Sequence, residues 1–118
     1  MAGPEWRVRL GAAAEFDFAN ILKWTTENFG SRQALIYRDT LIHAIRELVE
    51  GPEIARSRAR DEIMPGLRTL HVARRGRRGR HFLMYRVAAE RTIEIVRILH
   101  DTMDLERHVP SDTGERDR

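Results

Sequence analysis

From residue 64 to residue 89 the chain has no aspartate or glutamate, and this stretch runs through strand-like segments joined by an arginine-dense turn. Pro65-Gly66 is a turn signal, and residues 67–73 follow it with strand character. Gly76 and Gly79 bracket a hairpin tip flanked by Arg74, Arg75, Arg77, Arg78 and Arg80. Residues 81–87 are apolar at nearly every position, which predicts a strand covered on both faces or central in a sheet. A turn at Ala88-Ala89-Glu90-Arg91 leads to another strand over residues 92–99. Strands in this close succession form an antiparallel sheet, and such a sheet needs another layer to bury one of its faces.

The first half supplies that layer. Trp6-Arg7-Val8-Arg9-Leu10 alternates apolar and charged side chains, the period of a half-buried strand, and Gly11 ends it. Ala14, Phe18, Ile21, Leu22, Thr25 and Phe29 then fall at helical spacing, which predicts a helix over 12–29. Gly30 suits a helix C-terminus and Ser31 an N-cap for a second helix. That helix carries Ala34, Tyr37, Leu41, Ala44, Ile45 and Leu48 on one stripe before Gly51-Pro52 stops it. Residues 53–66 have no periodicity and read as a loop. The order is β-α-α-β-β-β. It predicts an α+β domain in which a helix hairpin packs on one face of an antiparallel four-stranded sheet. The opposite face has no helix of its own, so it should be either solvated or a groove for a partner. Residues 1–108 form this single domain, and 109–118 read as a disordered polar tail.

Composition narrows the functional classes. The chain has 118 residues and no cysteine, which removes disulfides, thiolate metal sites and thiol nucleophiles. No apolar run reaches the ~20 residues of a membrane span, and no secretory leader is recognisable, so a soluble cytoplasmic protein is expected. Net charge is only +3, but residues 67–86 hold seven arginines while residues 101–118 hold six acids against three arginines. A basic patch of that kind calls for an anionic partner. The five histidines lack metal-ligand spacing, and no cofactor or metal is expected. Glu15, Asp17 and Glu27 are expected on the solvent side of the first helix.

The order of elements, the opening Trp-Arg-Val-Arg-Leu, Pro65-Gly66-Leu67-Arg68, His81-Phe82-Leu83-Met84-Tyr85-Arg86-Val87, and Ile95-Val96-Arg97-Ile98-Leu99-His100 followed by Met103-Asp104-Leu105 resemble the ParE branch of the RelE/ParE toxin superfamily. The resemblance runs from Trp6 to His108. It implies the toxin of a bacterial type II toxin–antitoxin system, a group often described as plasmid stabilisation proteins. ParE-like members are similar in action to inhibitors of DNA gyrase that arrest growth, whereas RelE-like members are ribosome-dependent mRNA endonucleases. Either kind implies a cognate antitoxin, here ParD-like with its own DNA-binding domain, in a toxin–antitoxin hetero-oligomer. DNA would be contacted only through antitoxin or gyrase, and no membrane is involved.

RNA cleavage needs a proton acceptor, cations on the phosphate and a proton donor. RelE-like toxins use sheet lysines and arginines with a C-terminal tyrosine or histidine. This sheet has no lysine, Phe82 stands where that group places an arginine, and Asp101 and Asp104 stand where it has basic residues. Gyrase inhibition by binding, with no catalytic residue, is therefore the expectation. A nuclease would have to use His100 with Arg97 and Arg86, and with His81 as a further candidate. The expected partner-binding residues are Arg68, Arg86, Arg97, His100, Met103 and Asp104. The in-strand arginines are candidates to clamp antitoxin carboxylates, and the Arg74–Arg80 run forms a basic hairpin that is solvated or docks an acidic segment.

Overall fold

A computed structural model of the chain describes residues 5–103 and 105–108; the expected tail over 109–118 and the candidate Asp104 lie outside the described residues. The elements are β1 (Arg7–Leu10), α1 (Ala12–Phe29), α2 (Ser31–Glu47), β2 (Arg58–Ala59), β3 (Arg68–His71), β4 (His81–Ala89) and β5 (Thr92–His100). Single 3-10 turns follow α2 at Leu48–Glu50 and β5 at Leu105–His108.

Both helices form where the apolar spacing places them. Ala14 and Thr25 of α1 and Ala34, Leu41 and Ala44 of α2 are buried, and Phe18, Ile21 and Leu22 pack half-buried against the core. Phe29 departs from the stripe: it is 64% exposed. The turn between the helices is made by Gly30 alone, at φ 92° and ψ 163°, a region essentially reserved for glycine that costs an L side chain about 1–3 kcal/mol. Its amide donates to the Thr26 carbonyl (2.9 Å), and its own carbonyl accepts from Ala34 (3.2 Å). Ser31, expected as the N-cap, is instead the first helical residue, and Gly30 occupies the cap.

The sheet has five strands in the order β1-β5-β4-β3-β2, and β1 runs parallel to β5 while the other pairs are antiparallel. The expected four-stranded antiparallel sheet is thus corrected to a five-stranded mixed one. Alternation marks a strand without giving its direction, and the path through the helix hairpin returns β5 alongside β1 in the same sense. The extra strand, β2, lies in the stretch read as a loop. Two residues are too few to show a period, and pairing with Arg68 and Thr69 of β3 defines them. β4 and β5 also outlast their expected ends, to Ala89 and His100.

Between the sheet and the helices lies the main core, built on Leu41, Leu48, Leu70, Leu83, Tyr85, Ile93, Ile95 and Ile98. A smaller cluster of Leu67, Met84, Val96 and Leu99 occupies the other sheet face, with Ile63, Met64 and Leu105 packed against it. That face is therefore neither bare nor open along its whole length. The loop before β3 and the turn after β5 cover part of it. Leu83, Met84 and Tyr85 are consecutive and all buried, with Met84 in the smaller cluster and its neighbours in the main one. A register shift between Met84 and Tyr85 leaves Val96 without an opposite residue. The shift changes the parity of β5, so Ile95 and Ile98, three apart, both enter the helix-side core.

Candidate functional site

At the far end of the sheet, the helix hairpin, the β3–β4 hairpin and the end of β5 enclose an open groove of about 1420 Å³. Trp24, Phe29 and Ile36 form its helical wall, Arg77, Arg78 and Arg80 come from the β3–β4 hairpin, and His100 and Met103 close the β5 side. Trp24 is 57% exposed and meets Phe29 edge-on, with ring centroids 5.7 Å apart. Large apolar groups left this open normally mark a binding surface. Trp24 and Ile36 lie beside the predicted stripes on α1 and α2, and that offset was the available signal in the sequence, whereas Phe29 was counted on the stripe itself.

One end of the groove is organised by Asp17. The residue is 8% exposed, not on the solvent side as expected; Glu15 and Glu27 are exposed. The Asp17 carboxylate accepts Nε of Arg97 at 2.7 Å, Nη2 of Arg97 at 2.9 Å and the amide of Ile98 at 2.9 Å. These bonds to Asp17, offset in part by burial, raise the Arg97 guanidinium above its ordinary pKa. Its remaining Nη1 donates to the His108 carbonyl at 3.2 Å. Helical periodicity could not reveal this role, because Asp17 sits at the edge of the stripe and its partner is 80 residues away.

The groove floor is polar. The Tyr37 hydroxyl is hydrogen-bonded to Nδ1 of His81 at 2.6 Å and accepts the Arg80 amide at 3.0 Å. Burial, followed by the proximity of His100, lowers the His81 pKa to about 4, so the ring is neutral at pH 7. Burial likewise raises the Tyr37 hydroxyl. The His100 ring stands edge-on to His81 at 5.3 Å, and its Nδ1 lies 2.8 Å from the Thr102 hydroxyl. Beside them, Asp101 accepts Nε2 of His71 at 2.9 Å and Nη2 of Arg80 at 3.2 Å. The His71 bond, then that of Arg80, holds its carboxyl at about 2.

The basic hairpin is only partly a solvated tip. Arg74 and Arg75 both clasp Glu47 at the end of α2. Burial would raise the Glu47 carboxyl, but the two arginines outweigh it and lower the pKa. Arg80 pairs with Asp101. Arg77 and Arg78 line the groove with no ion-pair partner among the described residues.

The in-strand arginines do not converge. Arg68 donates through Nε to the Ser57 hydroxyl at 2.8 Å, in a brace where Ser57 and Tyr85 both donate to the Pro52 carbonyl and touch each other. Arg86 pairs with Glu94 at 2.8 Å, and its Nε is buried without a partner among the described residues. Of the expected partner-binding residues that are described, Arg97, His100 and Met103 border the groove and Arg68 and Arg86 do not. Trp24, Phe29, Ile36 and Tyr37 border it without having been expected. Among the described residues no three acidic or histidine side chains converge as a metal site, and no helix is long and apolar enough to cross a membrane.

Comparison with known proteins identifies this architecture. Residues 8–105 match the family described as the ParE toxin of type II toxin-antitoxin systems, parDE. The chain is 40% identical over 103 residues to Toxin ParE1 of Mycobacterium tuberculosis, in both strains CDC 1551 / Oshkosh and ATCC 25618 / H37Rv, spanning 87% of this chain and 97% of each relative. Among solved structures it is similar to a chain of the chromosomal ParDE TA system from P. aeruginosa, with a TM-score of 0.69, 20% identity and 83% and 98% of the two chains covered. A chain of the M. tuberculosis toxin-antitoxin complex RelBE2 aligns with a TM-score of 0.54, 20% identity and coverage of 84% and 94%. The two-layer α+β fold is thus one that this chain shares with chains of these toxin–antitoxin systems. Within it, the chain belongs to the ParE toxin family of type II toxin–antitoxin systems.

Proposed function

We propose that this ParE-family toxin acts by binding, as an inhibitor of DNA gyrase in the bacterial cytoplasm, and that a ParD-like antitoxin silences it by occupying the groove. The observation that carries the antitoxin site is the groove's composition: an aromatic and aliphatic wall of Trp24, Phe29 and Ile36 together with Arg77 and Arg78, which have no ion-pair partner among the described residues. An amphipathic segment with acidic residues on one side complements both walls. Gyrase inhibition is supported by the dispersal of the cations. Arg97 is neutralised by Asp17 and Arg86 by Glu94, which leaves no convergent set of strand arginines for a phosphate in flight. The in-strand arginines thereby become supports of the fold, and the antitoxin's acids are assigned to the hairpin instead. Expression of the chain should arrest bacterial growth, and co-expressed antitoxin should relieve it. Purified toxin should make gyrase accumulate cleaved plasmid DNA.

Ribosome-dependent mRNA cleavage is the second reading, and one observation favours it: Tyr37, His81 and His100 meet beside Arg80. Histidine and tyrosine are groups of the right kind for proton transfer. Incubation of toxin with ribosomes and mRNA separates the readings, since cleavage that disappears in His100→Ala would displace gyrase as the target.

A further inference from the structure

Besides its core stripe, α2 carries a second row of residues on the side turned to water. Ala34, Leu41 and Ala44 are buried, whereas Leu35, Asp39, Ile42 and Arg46 follow one another on the far side at steps of four, three and four residues. Those steps keep a row on one face of a helix. Leu35 is 63% exposed. Ile42 is half-buried and stands outside both apolar clusters of the domain. A helix face that meets only water is ordinarily polar throughout, and aliphatic residues spaced seven apart are the seam through which helices pair. None of the four residues lines the groove.

The charges in the row decide what can cover it. Asp39 and Arg46 are of opposite sign, also seven residues apart, and lie on the same flank of the Leu35–Ile42 line. Within its own chain Asp39 meets the neighbouring Arg38 at 3.8 Å, a contact between two exposed side chains that is worth little. Arg46 has no ion-pair partner among the described residues. Ile42 sits between the two charges. When two such helices lie antiparallel about a two-fold axis, each flank of the seam meets the same flank of the other copy. With the axis at Ile42, each Asp39 falls opposite the partner's Arg46, Ile42 packs on the partner's Ile42, and Leu35 reaches the end of the second helix. The face is then its own complement, the condition for an isologous contact. A partner of a single charge sign, such as a nucleic acid or an anionic lipid surface, would satisfy Arg46 and be repelled by Asp39.

We infer that the outer face of α2 is a self-association surface, on which a second copy of this chain docks with its own α2 antiparallel. A single helix face stays below the ~1,200 Å² of a standard interface, so the dimer is a weak and reversible one. Because the row shares no residue with the groove assigned to the antitoxin, both grooves of the dimer stay open. The inference depends neither on gyrase nor on the antitoxin, and it stands or falls separately from the proposed function.

The test is sedimentation equilibrium of the free full-length chain over a wide range of concentration, where the wild type should pass from monomer to dimer. Asp39→Arg and Arg46→Asp should each weaken association about tenfold or more, because each sets like charges opposite one another. The double swap Asp39→Arg/Arg46→Asp restores the complement and should return to within about threefold of wild type. Both residues are exposed, so circular dichroism should be unchanged in all three variants. Introduced single cysteines report the direction of the pair, since the chain has none of its own. Ile42→Cys should give a disulfide-linked dimer on mild oxidation. Leu35→Cys should not, although its site is the more exposed, because the two copies of position 35 stand roughly 20 Å apart along an antiparallel pair. A chain that stays monomeric throughout, a double swap no better than either single, or cross-linking through position 35 as readily as through position 42 would each overturn the assignment. So would an equal loss of antitoxin affinity in Asp39→Arg, which would give this face to the antitoxin instead.

Discussion

The carboxylate of Asp17 on α1 and the guanidinium of Arg97 on β5 form a bidentate pair, at 2.7 and 2.9 Å, across the two layers of the domain. The same carboxylate also takes the Ile98 amide, so one short side chain locks a helix, a strand backbone and an arginine together. Because Arg97 reaches on to the His108 carbonyl, the lock extends to the end of the described chain. The groove is therefore bounded at this corner by a rigid joint.

Removing half of that joint should cost more than removing all of it. Asp17→Ala leaves a half-buried guanidinium and an amide unpaired, and should destabilise the fold by about 3 kcal/mol in urea denaturation. Asp17→Leu combined with Arg97→Met should recover at least half of the loss. A double variant as unstable as Asp17→Ala alone would show that the helix-to-strand contact depends on the charges themselves.

Glycine at position 79 is a packing requirement. A β-carbon there would lie 2.5 Å from Val72 Cγ2 and 3.0 Å from the Tyr37 hydroxyl. Gly79→Ala should cost about 1–3 kcal/mol by overpacking and disturb the Tyr37–His81 bond. Gly66 has φ 84° and nothing within 4 Å of such an atom, so Gly66→Ala should cost only the backbone term, roughly 1 kcal/mol. Thermal melts of the two variants compare the mechanisms directly.

Acid should weaken the fold in two steps with opposite kinds of group. His81 is held neutral in the fold, with a pKa of about 4 against an ordinary 6.5. The unfolded chain takes up that proton first, so stability is full above pH 6.5 and declines as pH falls towards 4. Asp101 is a depressed carboxylate, near 2 against an ordinary 3.8, and its contribution is lost as pH falls from about 4 through 2. Unfolding free energies measured from pH 8 to pH 3 should fall less steeply between 6.5 and 4 in His81→Gln than in wild type. A His81 resonance titrating near 6.5 in the native protein would refute the first step.

Antitoxin affinity should concentrate in the aromatic wall. Trp24→Ala should weaken the purified complex by at least 2 kcal/mol, about 30-fold, as expected of a central interface anchor. Arg77→Glu with Arg78→Glu should weaken it less, and more so at low salt than at high salt. Titration calorimetry reads both. Retained affinity in Trp24→Ala would move the antitoxin off this groove.

Both helices and the strands from residue 67 onward were legible in the residues, because apolar spacing is a local property. Leu83 to Tyr85 announced a strand buried on both faces, and each face has its own cluster. β2 was not legible, because a two-residue strand has no period. Its partners in β3 define it. The direction of β1 escaped for a related reason: alternation is the same read either way along a strand. Arg68, Arg86 and Arg97 were legible as candidates to clamp a partner's carboxylates, but their contacts with Ser57, Glu94 and Asp17 are set by register and layer contact, which sequence order does not display.

The ordered motifs alone determined the family, the α+β class and the helix hairpin, since each depends on local pattern and on the order of segments. Only the tertiary structure decided which charges remain available. Folding brings Asp17 to Arg97 and Glu47 to Arg74 and Arg75, and it leaves Arg77, Arg78, Arg56 and Arg58 facing outward. A charge acts on a partner only when no nearer opposite charge has neutralised it, and distance through space is what the fold creates.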